Sequence, residues 1–218
     1  MGAPSSRDVR ARWTAPGTGQ RYDEARWRHA GRRRRDPDTL TRLLRDVRAE
    51  SPGRPAPAWI LDAPCGTTRL RSAVEGLFPT SGYVGLDASP SMLGRGAGGD
   101  PTRLVCGDVE HLPFGEGAFD IVVCCRLLHH LHERAPLESA LRELVRVSAH
   151  LVVGSFWDTR SLEAQAMRLP FARTPRHRIT RSRAELTAAL DAAGADVVRW
   201  RSTLPVLSRQ TWFAAVKR

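Results

Sequence analysis

Lysine is all but missing from this chain: of its 34 basic residues only Lys217 is a lysine, and the rest are arginines. So one-sided a choice points to a genome-wide codon bias before it points to selection for a binding patch. No apolar run approaches the ~20 residues needed to cross a bilayer, and the N-terminus has no apolar signal core. A cytoplasmic protein with no membrane partner is therefore the expectation. CxxC pairs are missing too. The four cysteines, Cys65, Cys106, Cys124 and Cys125, read as reduced, buried thiols. Adjacent strand residues face opposite sides, so Cys124 and Cys125 offer no ligand spacing with His129, His130 and His132, and no metal is expected. What remains, 218 residues of which 41% are hydrophobic, suits the core of one large domain.

What is present is a strand, a turn and a helix in WILDAPCGTTRL, residues 59–70. Trp59, Ile60 and Leu61 make the continuously apolar run of a strand buried on both faces of a parallel sheet, with Asp62 at its carboxyl end. Pro64, Gly66 and two threonines then turn the chain. Gly66 lets a ligand approach the backbone closely, and the free N–H groups of the next helix point toward that ligand. About twenty residues on, Tyr83, Val84, Gly85 and Leu86 end in Asp87, whose two oxygens can accept from both hydroxyls of a ribose. The glycines of a dinucleotide GxGxxG are absent, since Pro64 and Thr68 stand at its first and last positions. Two further stretches follow in order, LVCGDVEHLPF at 104–114 and FDIVVCCRLLHHL at 119–131.

Together these four stretches resemble the class I S-adenosylmethionine (SAM)-dependent methyltransferases, and within them the ubiquinone/menaquinone-biosynthesis-like branch, over about residues 36–218. DAPCGTT is similar to that family's DxGxGxG turn, GLDASPSML to its second-strand acid, GDVEHLPF to its adenine loop, and FDIVVCCRLLHHL to its fourth strand and following turn. Pro64 and Thr68 replace two of the family's glycines, and Val147, Ser148, Ala149 and His150 replace its Lys-Pro-Gly-Gly turn before strand five. The resemblance implies an α/β fold, a Rossmann-like three-layer sandwich on a seven-stranded, mostly parallel sheet with an antiparallel last strand. It implies SAM as cofactor, held by Asp62, Pro64 and Gly66 at the first turn, by Asp87, Ala88 and Met92 at the second, and by Asp108, Val109 and Cys125 beyond. Asp108 would accept from the adenine amino group and the Val109 N–H would donate to the ring, while Glu110 faces solvent. The turn after strand four faces the transferred methyl group, which puts Cys125, Arg126, His129 and His130 near the chemistry. Histidine is the natural base near neutral pH, so His129 and His130 are the catalytic candidates.

The organisation expected around this core has three parts: residues 1–35 as a basic N-terminal arm and lid, 36–218 as the methyltransferase domain, and 155–182 within it as substrate cover. Residues 1–20 are rich in Pro, Gly, Ser and Arg with few apolar anchors and read as a mobile arm. Tyr22 and Arg26 are lid candidates by the resemblance. Trp157, with Arg168, Phe171 and Arg173, is a candidate for the substrate wall. Asp36 and Pro37 form an N-cap and first-turn pair, after which Leu40, Leu43, Leu44 and Val47 recur at helical spacing. Ser182 with Glu185 forms a capping box for a helix that ends at Gly194, and two last strands follow at 196–203 and 210–217.

Charge is spread unevenly. Residues 1–58 hold 14 arginines against 7 acids, 59–155 hold 8 against 11, and 156–218 hold 12 basic residues against 5 acids. A slightly acidic core between basic flanks favours an anionic substrate or partner. A small-molecule acceptor methylated on O, N or C is the first reading. The alternatives are an RNA methyltransferase that uses the basic flanks, and a SAM-binding protein with no methyl transfer. No Asn-Pro-Pro-Tyr follows strand four, which argues against methylation of exocyclic base amines.

Overall fold

The computed structural model describes residues 5–20, 30–96, 103–166, 178–204 and 207–218. Its sheet comprises β1 (Trp59–Asp62), β2 (Gly82–Asp87), β3 (Leu104–Cys106), β4 (Phe119–Cys124), β5 (Ser148–Trp157), β6 (Ala195–Ser202) and β7 (Gln210–Lys217). They lie side by side in the order β3-β2-β1-β4-β5-β7-β6. Strands β1 to β5 pair in parallel, and β7 inserts antiparallel between β5 and β6. This is the mostly parallel α/β sandwich with an antiparallel last strand that the sequence implies.

The described helices are α1 (Ser6–Thr14), α2 (Ala30–Ala49), α3 (Arg71–Leu77), α4 (Pro90–Leu93), α5 (Arg134–Val147), α6 (Leu162–Ala166) and α7 (Arg183–Ala192). None of them is long and apolar enough to cross a membrane. Successive residues of β1 and β4 point to opposite faces, and helices cover both, so both sets are apolar. Leu61, Val122 and Val152 pack under α5 and α7. Ile60, Ile121 and Val123 pack under α2 and α3. Cys124 joins the first layer and Cys125 the second, as adjacent strand residues must. In α5, Leu137, Ala140, Leu141, Leu144 and Val145 are buried at the spacing of one helical face.

Five expectations change. Cys106, read as a buried thiol, is exposed at the end of β3. Trp59 is 44% exposed rather than buried on both faces: as the first residue of β1 it lies over Gly82, where a Cβ would stand 2.3 Å from its ring. No turn separates α5 from β5, because Val147 ends the helix and Ser148 begins the strand. The Arg146 carbonyl left over at that helix end accepts the Gly117 N–H at 2.9 Å and the Lys217 ammonium at 3.2 Å. Residues 6–14 are helical rather than a mobile arm, and Ser5 with Asp8 supplies a capping box. Asp36 and Pro37 lie inside α2, not at its start, so the helix runs through the boundary expected at 35/36. A residue before proline is normally pushed out of the α region. Burial of the Asp36 carboxylate against two arginines overrides that preference.

The second capping box stands as read. Ser182 Oγ accepts the Glu185 N–H at 3.1 Å, and the Glu185 carboxylate accepts the Ser182 N–H at 2.7 Å. Gly194, at φ +91°, follows the end of α7. Ser182→Ala is expected to cost about 1 kcal/mol of unfolding free energy, read as a lower urea midpoint at an unchanged slope.

Candidate active site

The carboxyl ends of β1, β2 and β4 open onto a cleft of about 1210 Å³, its mouth included. One half is shaped by backbone. Gly66 has φ +55°, a left-handed conformation that favours glycine, and a Cβ there would meet no protein atom within 4 Å. The space beside this residue is therefore open cleft. Its N–H donates to Asp87 Oδ2 at 2.8 Å, and the Ser89 N–H donates to Asp87 Oδ1 at 2.9 Å. Both oxygens of Asp87 are thus aimed by the backbone, and each keeps a further lone pair for a ligand. Burial pushes this carboxyl up, while the Ser89 and Gly66 donors pull it down. Thr68, which stands where the resembled family has glycine, keeps a left-handed backbone at φ +55°. Its hydroxyl donates to the Gly96 carbonyl at 3.0 Å, offsetting part of the strain of a β-branched residue there.

Pro64, Ala88, Met92, Asp108 and Val109 complete this half. Asp108 Oδ1 accepts the Glu110 N–H at 3.0 Å, and its carbonyl accepts the His111 N–H at 3.0 Å. That tight turn brings Glu110, expected in solvent, to the half-buried rim of the cleft. Asp62 lies beneath the cleft rather than on its wall. It is fully buried, and its Oδ2 accepts the Tyr83 hydroxyl at 2.9 Å. Burial pushes its carboxyl from 3.8 up to about 7, against the Tyr83 bond and Arg69 and with the Asp87 charge. Between those two values the folded chain holds a proton that the unfolded chain has lost. Stability therefore falls as pH rises from about 4 to about 7. Asp62→Asn is expected to flatten that part of the stability profile, measured by denaturant unfolding across the window. An unchanged slope would assign the pH dependence elsewhere.

The other half is aromatic and cationic. His129 stacks on Trp157 with centroids 4.7 Å apart and planes 5° apart, and His130 lies tilted 4.4 Å from His129. Trp13 meets His130 edge-on at 5.4 Å. Trp157 is buried behind this ladder, with the Arg209 guanidinium 3.8 Å from its ring centroid. It supports His129 and is not itself a wall of the cleft. The end of the expected cover segment straps the ladder down. The Ile179 N–H donates to the His129 carbonyl at 2.9 Å and the Arg181 N–H to that of Trp157 at 2.8 Å. The Arg181 guanidinium donates to the Leu131 carbonyl.

Below this half lies a charge cluster. Arg126, at φ +63°, donates its N–H to Ser155 Oγ at 2.9 Å and its Nε to Asp36 Oδ2 at 2.6 Å. Arg69 Nη2 reaches the same oxygen at 3.0 Å. Asp36 is fully buried. Cys125 lines the cleft beside the cluster. Burial, reinforced by the Asp36 charge, pushes its thiol up to about 12, and burial pushes Cys65 and Cys124 up as well. None of these three is a thiolate nucleophile at neutral pH.

The structure thus brings Pro64, Gly66, Asp87, Ala88, Met92, Asp108, Val109, Cys125, His129 and His130 around one cleft and sets Asp62 and Trp157 behind it. Tyr22, Arg26, Arg168, Phe171 and Arg173 lie outside the described residues. Trp13, Thr14, Arg69 and Arg178 also line the cleft and were not singled out from the sequence as site residues. Residues 13–19 cross its mouth, from the Trp13 contact with His130 to Gly19, whose N–H donates to Ser91 Oγ at 3.1 Å. The Ser5-x-x-Asp8 pattern was the available signal for that segment. Among the described residues no group of three or more His, Cys, Asp or Glu is placed to hold a metal.

Residues 61–150 match the family model described as a methyltransferase domain. The matched residues run from the end of β1 to the start of β5, and the strand order of the whole sheet, with its single antiparallel strand, agrees with that match in fold. The particular relatives are more varied. Over 66 residues the chain is 42% identical to a malonyl-[acyl-carrier protein] O-methyltransferase of Dechloromonas aromatica, covering 30% of this chain and 24% of that protein. Over 152 residues it is 30% identical to a protein of the same name from Herminiimonas arsenicoxydans, covering 64% and 53%. The chain thus spans from a quarter to about half of the length of these curated relatives. In fold it is similar to magnesium protoporphyrin IX methyltransferase from Synechocystis PCC 6803, solved with bound SAM. The TM-score is 0.66 at 16% identity, covering 100% of this chain and 99% of that one.

Proposed function

We propose that the chain is a SAM-dependent methyltransferase whose acceptor is a small molecule bearing negative charge, with the N-terminal segment acting as its lid. One observation carries the cofactor reading: the buried carboxylate of Asp87 is aimed into a cleft beside a glycine whose missing Cβ leaves the space open. Asp87 would hold the ribose, and Met92, Asp108 and Val109 the adenine. The chemistry that SAM supplies when bound is an electrophilic methyl group on a sulfonium. The protein's share is alignment and proton handling. Stacking on Trp157 and the Ile179 bond fix the histidine ladder, so an imidazole nitrogen of His129 or His130 is positioned to take the acceptor's proton. Trp13 and its neighbours across the mouth restrict water.

The acceptor's negative charge is inferred from the excess of guanidiniums over carboxylates in the aromatic half of the cleft, where Arg69 and Arg126 share the single Asp36 carboxylate and Arg178 lines the same cleft. The relatives named O-methyltransferases make oxygen the first atom to assay. Placement in the ubiquinone/menaquinone-biosynthesis-like branch rests on the four sequence stretches. RNA is the weaker alternative. In the C-terminal basic flank, Arg183, Arg199, Arg201, Arg209 and Arg218 each form an ion pair with an acid of the same chain, which reduces the charge left for phosphates.

Calorimetry with S-adenosylhomocysteine, and NADH in parallel, tests the cofactor reading. Micromolar binding of the former alone is the expected result. Failure of S-adenosylhomocysteine to bind would overturn the reading.

A further inference from the structure

A second cavity of about 590 Å³, mouth included, lies at the opposite end of the sheet, where β1, β4 and β5 begin. Its wall is apolar: Leu44 and Val47 of α2, Phe78 after α3, Ile121 of β4 and Leu151 of β5 are all buried. Its mouth is cationic. Arg48 and Arg54 stand there with His150 and Asp120, under the proline-rich connection that leads into β1. The one carboxylate present is already engaged, because Asp120 Oδ2 accepts the N–H groups of Ala58 at 2.8 Å and Trp59 at 3.0 Å. Neither Arg48 nor Arg54 forms an ion pair among the described residues. The Arg48 guanidinium lies 5.8 Å over the Phe78 ring, which points its charge along the apolar wall. Burial, and after it the Arg54 charge, lowers the His150 pKa, so the imidazole adds a neutral donor or acceptor near pH 7.

An apolar cavity with a few convergent polar groups is the usual form of a small-ligand site. The shape here is specific in charge. We propose that this cavity is a second binding site, distinct from the SAM cleft, for a small amphipathic anion. Such a ligand carries one carboxylate on a body no larger than a single phenyl ring or a short alkyl chain. The ring or chain would pack on Leu44, Phe78 and Leu151, and the carboxylate would meet Arg48 and Arg54 at the mouth. A cationic ligand is disfavoured by both guanidiniums, and a neutral one forgoes the charge-assisted hydrogen bonds.

The test needs no assumption about methyl transfer. Phenylacetate is titrated into the isotope-labelled full chain and followed by amide chemical shifts, with neutral phenylacetamide as comparison. The expected result is saturable shifts at Val47, Ile121, His150 and Leu151, with phenylacetamide at least about tenfold weaker. Exchange of the exposed Arg48 and Arg54 for Ser should weaken phenylacetate about tenfold and leave the spectrum's dispersion and the melting temperature unchanged. Three results would overturn the proposal: shifts confined to Gly66, Asp87 and Cys125, equal affinity for acid and amide, or no saturable shift up to about 10 mM, a limit weaker than any useful site. Each of these outcomes leaves the reading of the SAM cleft standing, which the S-adenosylhomocysteine titration decides separately.

Discussion

Asp87→Ala is expected to weaken S-adenosylhomocysteine binding at least about a hundredfold, roughly 3 kcal/mol. Two charge-assisted hydrogen bonds from a ligand to a buried carboxylate are each worth about 1.5 kcal/mol or more. Here the carboxylate is held in place beforehand by the Gly66 and Ser89 N–H groups, so a ligand spends little to order it. Binding should also weaken on acidification, because only the ionised carboxylate accepts at both oxygens. Since burial raises this carboxyl, the loss sets in at a higher pH than for an exposed aspartate. Calorimetry of the folded variant, checked by circular dichroism, measures both effects. A dissociation constant equal to that of the unchanged chain would remove Asp87 from the site.

The second large effect concerns stability. Asp36→Ala should lower the unfolding free energy by about 3 kcal/mol, which for a chain of this size is a drop of roughly 6 to 12 °C in melting temperature. One fully buried oxygen of Asp36 accepts from both Arg69 and Arg126. Truncation leaves two largely buried guanidiniums facing each other without that carboxylate. The companion variant Asp36→Leu with Arg126→Met is expected to recover part of the loss, because one of the two charges goes with its partner. A loss within about 0.5 kcal/mol for Asp36→Ala would show that the cluster is solvated rather than paired. The variant also weakens the hold on Arg126, whose left-handed backbone begins the turn that carries the histidines.

Parts of this architecture were legible because they are local. Apolar runs ending in Asp62 and Asp87, the 3.6-residue rhythm of α5 and the Ser182–Glu185 box each depend on neighbours within a turn or a strand. The turn of residues 62–70 was legible for a related reason: a turn between strand and helix has little freedom in where it puts its backbone N–H groups. Pro64 and Thr68 left that turn standing, since Thr68 adopts the glycine-like conformation itself.

The aromatic and cationic half of the cleft was not legible in the same way. Asp36 looked like a helix cap because Asp-Pro is a common opening, yet its partner Arg126 lies 90 residues away, and nothing near Asp36 in sequence announces it. Trp13 and His130 meet across a still longer span, and Arg178 reaches the cleft because backbone bonds from 179 and 181 tie its segment to His129 and Trp157. Short-range patterns thus determined the α/β class, the two acids that close the first two strands and the apolar faces of the helices. Tertiary packing alone decided which charges share the cleft, that His129 rests on Trp157, and that a helix from the N-terminus closes on His130. Such choices are made by burial: a carboxylate or ring leaves water only where the fold supplies its partner, and that partner can come from anywhere in the chain.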